Sequence, residues 1–113
     1  MAITELTIDR ARWGTSALLN KDGTMCCLGF LSKACGVPDE WMLNVSFPRR
    51  GWASEFDVNI EFVRLDVYAR SPADAAKIND SNEYSKEQKE TMLIDLFARN
   101  GITLSFIGEH RSE

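Results

Sequence analysis

Between residues 27 and 35 the apolar side chains Cys27, Leu28, Leu31, Ala34 and Cys35 recur at spacings of three and four, which places them on one face of an α-helix. The pattern predicts a helix with that face buried. Gly36 suits the left-handed position beyond its end, and Pro38 stops any continuation. Gly29, inside the helix, predicts close approach of another backbone. Residues 38–44 predict one further turn, with Pro38 at its first position and acids close behind. A short helix that opens with Ser71 and Pro72 is expected to end near Asn79. Further on, Met92, Leu93, Leu96 and Phe97 line one helical face, Ser85 and Gln88 have capping-box spacing, and Gly101 ends the helix.

Other segments carry the two-residue period of strands. Phe56, Val58, Ile60 and Phe62 alternate, and the phase then shifts to Val63, Leu65 and Val67, as expected of a strand with a bulge. Residues 102–107 predict a closing strand. Asp22-Gly23 lies between two apolar runs, a hairpin signal that predicts two short antiparallel strands with Gly23 at positive φ. The first segment, with Thr4 as a cap and Leu6, Ile8, Ala11 and Trp13 as its apolar positions, fits a short helix better than a strand. Together the elements predict an α+β fold. We expect a single domain over residues 1–113, with a small, mostly antiparallel sheet of about four strands packed against about three or four helices.

Composition narrows the partners. Thirteen Lys and Arg against seventeen Asp and Glu give a net charge of −4, which disfavours direct nucleic acid binding. No apolar stretch approaches the ~20 residues of a membrane span, and no signal-peptide pattern opens the chain, so no membrane contact and a cytoplasmic location are expected. Three cysteines, two of them adjacent, do not resemble a secreted disulfide framework.

The cysteines read as packing. Cys26, Cys27 and Cys35 form no C-x-x-C pair and the chain has one histidine, His110, in a polar tail. Zinc ligation and a thiol–imidazole nucleophile therefore lack their partners. Cys27 and Cys35 are expected to fill the inner helix face, with Cys26 pointing the other way and half exposed. No metal, cofactor or catalytic residue is expected.

"CCLGFL" after a "DGT" turn, followed much later by "IND", an acidic helix and a closing strand, resembles a widespread group of small bacteriophage and prophage proteins. The likeness covers residues 22–31 and 78–80, and it brings no catalytic or binding residue with it. It implies a host-cell setting, in which small acidic phage proteins bind a host protein or complex stoichiometrically, for example to inhibit a defence system such as CRISPR. For that function the expected contact surface is Phe47, Arg49, Arg50 and Trp52, because exposed aromatics and arginines are common interface anchors. Two alternatives stay open. The same arginines and tryptophan suit capture of a signalling nucleotide, and Asn79, Asp80 and Glu83 form a secondary surface that an acid- or amide-assisted enzyme could use.

Overall fold

The computed structural model describes residues 4–45, 75–99 and 101–110. Strand β1 (Glu5–Asp9) leads into a 3-10 turn (Arg10–Arg12), then come helices α1 (Cys27–Ala34), α2 (Asp39–Met42), α3 (Ala75–Asp80) and α4 (Lys86–Arg99), and strand β2 (Thr103–Ile107) closes the order. Among these residues no helix is long and apolar enough to cross a membrane.

The first segment is a strand, not the expected helix. Leu6 and Ile8 are buried while Glu5 and Thr7 are exposed, so the two-residue period governs, and Asp9 ends it by accepting a bond from the Ala11 amide at 3.0 Å. Ala11 lies in the 3-10 turn and Trp13 just past it, so the apolar positions that suggest one helix belong to two different elements.

β1 pairs with β2, and the pairing is parallel, with Leu6 opposite Leu104 and Ile8 opposite Phe106. The expectation of a mostly antiparallel sheet of four strands is therefore corrected: the sheet among the described residues has two strands, running parallel. The reason is connection. Helices separate β1 from β2, as parallel neighbours require. The strand expected over residues 56–67 and the helix start at Ser71 and Pro72 lie outside the described residues.

The Asp-Gly turn forms without its hairpin. The Asn20 amide bonds the Thr24 carbonyl at 2.8 Å and the Gly23 amide bonds that of Asn20 at 3.0 Å, with Gly23 at φ +88°. Beyond the turn one bond still joins the arms, from the Cys26 amide to the Ala17 carbonyl at 3.3 Å, and their other bonds go elsewhere. Leu18 donates to Val45 and Asn44 to Leu19, whereas Met25 donates to Arg12 and Gly14 to Met25. Each arm thus makes an isolated parallel bridge with a different segment, Leu19 with Leu43 and Trp13 with Met25.

Helix α1 forms where expected, with Cys27, Leu28 and Leu31 buried, but it ends at Ala34, and Cys35, expected on the buried face, is its half-buried C-cap. Ala34, expected on that face, is exposed, and Ser32 is buried instead, its hydroxyl bonded to the Leu28 carbonyl at 2.7 Å. Cys26 is also buried, at 3% exposure, not half exposed. It caps the helix, its amide bonds the Ala17 carbonyl and its carbonyl accepts from Gly29 and Phe30, which turns its side chain into the core.

Helix α4 opens with the reciprocal capping box, Ser85 amide to Gln88 Oε1 at 2.8 Å and Gln88 amide to Ser85 Oγ at 3.1 Å. It buries Leu93 and Phe97, with Met92 and Leu96 packed partly against the same core. Past its end Gly101 has φ +83°, and bonds from Gly101 to Ala98 and from Ile102 to Phe97 complete a Schellman motif. That turn feeds β2 back onto α4.

Gly29 is where α1 meets the chain before it, since a Cβ there would collide with the Leu18 carbonyl. Because the obstacle is backbone, it cannot swing aside. Gly29→Ala is expected to lower stability by about 1–3 kcal/mol, the usual cost of overpacking, as read by urea denaturation.

Candidate functional site

Asn79, near the end of α3, is 1% exposed and joins segments far apart in sequence. Its Oδ1 accepts from the Trp13 indole at 2.6 Å and from the Cys27 amide at 3.0 Å. Its Nδ2 donates to the Gly14 carbonyl at 2.9 Å and to Asp80 Oδ1 at 3.0 Å. A side-chain amide has two acceptor and two donor valences, so Asn79 is saturated. Asp80 extends the network by accepting from the Ser16 amide at 3.0 Å, which holds Ser16 in the left-handed region at φ +82°.

Above this junction opens a cleft of about 500 Å³. Trp13, Gly14, Thr15 and Asn79 line it together with Asn20, Lys21, Asp22 and Thr24 of the turn, Lys86 and Lys89 of α4, and Arg10 and His110. The turn side is fixed by internal bonds: Asn20 Nδ2 donates to the Thr15 carbonyl and Thr24 Oγ1, and Asp22 accepts from the Thr24 amide and hydroxyl.

Charge distinguishes this cleft. Arg10, Lys21, Lys86 and Lys89 face it against one lining acid, Asp22. Counting Asp80 and Glu90, which interact with Lys89 and Arg10, still leaves positive charge in excess, in a chain of net charge −4. Lys86 and Lys89 lie in the first turns of α4, where the helix dipole disfavours cations. Burial lowers the Lys89 pKa, Asp80 opposes that shift and Lys86 adds to it. Lys89 Nζ also donates to the Asn79 carbonyl at 2.9 Å.

On the third side Glu90 gathers Arg10 and His110. Arg10 grips it with two bonds, at 2.9 and 2.8 Å, and His110 Nε2 lies 3.0 Å from Glu90 Oε2, an ion pair when the imidazole is protonated. Arg10 also bonds the Gly108 carbonyl and lies over the Phe106 ring, and Trp13 packs against Phe106 and His110. His110, a member of a polar tail by sequence, is thus a wall of the cleft.

The sequence-derived candidates are distributed differently. Phe47, Arg49, Arg50 and Trp52 lie outside the described residues. Asn79 lies in the cleft floor. Asp80 is exposed beside it, and Glu83 lines a separate shallow depression with Lys77, Asp80, Ser81 and Tyr84. The three are not gathered around one space. Burial pushes the Cys26 and Cys35 thiols up to about 11, so little reactive thiolate exists near neutral pH.

Comparison with family models, with curated proteins and with solved structures finds no match to this chain. Its functional reading therefore rests on the cleft.

Asn79→Ala would strand the Trp13 indole and Cys27 amide donors. At about 1–3 kcal/mol for each unpaired group, stability is expected to fall by roughly 3 kcal/mol in chemical denaturation. The Arg10 hydrogen bonds hold the Glu90 carboxyl below its ordinary value of 4.5. A lowered folded-state pKa stabilises above the unfolded value, and that stabilisation is lost as pH falls through the folded one. The melting midpoint should accordingly fall on acidification below about pH 4.5 more steeply in the wild type than in Glu90→Gln.

Proposed function

We propose that the chain is a ligand-binding domain whose cleft takes a small phosphate-bearing anion, a class that includes signalling nucleotides. The observation that carries this reading is the placement of Lys86 and Lys89. Two like charges three positions apart near a helix N-terminus work against the helix through mutual repulsion and through the dipole. A bound anion would relieve both effects.

Three further points support it. The cations come from segments distant in sequence, the floor beneath them is held by saturated hydrogen bonds, and the volume falls in the range of small-molecule sites. The reading is capture, and the Asn79 amide, with all its valences filled, serves it as a rigid floor. Stoichiometric binding of a host protein through Phe47, Arg49, Arg50 and Trp52 concerns residues outside those described, and it draws no support from this geometry.

The test is a thermal shift assay with inorganic phosphate and nucleotides, in chelator and at fixed ionic strength. A true ligand at a hundredfold excess over its Kd stabilises by about 2.7 kcal/mol, a shift of many degrees for a domain of this size. Lys86→Glu, read against its own unliganded midpoint, is expected to lose most of the shift. Absence of any anion-dependent shift, or an equal shift in the variant, would refute the proposal.

A further inference from the structure

We infer that the cleft selects a chain of linked phosphates over a single phosphate, whether the chain is free or forms the tail of a nucleotide. This rests on the anion-binding function just proposed and sharpens it. The positive charge is not clustered at one point: Lys21 projects from the turn at residues 20–24 and Lys86 and Lys89 from α4, while on the third side Arg10 is held by Glu90 beside His110. A single phosphate in about 500 Å³ would be held from one side. A phosphate chain carries charge on every member and can meet several sides at once.

The polar floor points the same way. Asn79 has all its hydrogen-bonding valences filled, and Asn20 is bonded to Thr15 and Thr24. Direct reading of a base by these amides would require breaking bonds that hold the fold. Discrimination therefore falls to the pattern of charges around the rim. The lysines supply compact charges with rotatable donors, which suit successive phosphate oxygens without demanding one fixed angle.

Isothermal titration calorimetry with inorganic phosphate, tripolyphosphate, AMP, ATP and citrate, in chelator at constant ionic strength, tests the inference. Tripolyphosphate and ATP are expected to bind at least ~10-fold more tightly than phosphate and AMP, a difference of about 1.4 kcal/mol, and citrate is expected to be weak despite its charge. Lys21→Ala should weaken tripolyphosphate more than phosphate. Lys33→Ala, which removes the same charge from α1 where Lys33 pairs with Asp39, should change neither. ATP tighter than tripolyphosphate would assign the chain of phosphates to a nucleotide, and the reverse order to a free polyphosphate. Equal affinity for phosphate and tripolyphosphate, or citrate matching tripolyphosphate, would overturn the selection for a phosphate chain while leaving an anion cleft in place. Failure of every phosphate to bind would remove both.

Discussion

The saturated amide of Asn79 is the constraint on which the rest of the structure depends. Its four bonds tie α3 to the indole of Trp13, to the first amide of α1 and to the carbonyl of Gly14, and brace it against Asp80. An α-helix leaves its first amides without internal partners, and Cys26, the capping residue of α1, provides no side-chain cap. Asn79 supplies the missing acceptor from a distant segment. Capping of one helix, position of another and orientation of the cleft's aromatic wall are therefore a single event. Three short motifs also meet here: "CCLG" at the start of α1, "ND" at the end of α3 and the Asp-Gly turn beside the cleft.

Local stability and site charge oppose each other on α4. Its C-terminal half follows ordinary rules, with Arg99 near the negative end of the dipole and paired to Asp95 at 2.6 Å. Its N-terminal half has a good capping box but two lysines where acids would serve better, although Glu87 is present. Burial of Leu93 and Phe97 in the core supplies the stability that lets the first turns carry them. A helix anchored at one end can thus present unfavourable charge at the other.

Much of this is legible in the sequence where local rules suffice. The periodicity of Cys27, Leu28 and Leu31, the Ser85–Gln88 box and the turn at Gly101 all take the form that their spacing predicts. The sheet is not legible, because strand direction depends on pairing between residues about a hundred positions apart and not on local pattern. The same holds for the Asp-Gly hairpin: the turn is local and forms, but the arms choose partners that no short window contains. The site is hidden for a related reason. Lys21, Lys86, Lys89 and His110 are each ordinary in their own segments. Of the residues around the cleft, the sequence draws attention to Asn79, and for a surface role that its burial does not permit. The signal that does point toward the site is the pair of lysines in the first turns of α4, set against the usual preference for acids.

The pairing of Glu5 with Thr103 and of Asp9 with Ile107 also fixes when the fold can form. Loop-closure entropy for contacts of such separation must be met before the contacts contribute. β1 lacks this partner until β2 has been made, and Leu6 and Ile8 stay uncovered on that side in the meantime. While the residues between the two strands are being synthesised, the nascent chain thus exposes an unpaired apolar strand, the condition under which chains recruit chaperones or aggregate. Maturation of the sheet, and with it the wall of the cleft that His110 builds just past β2, therefore waits for β2.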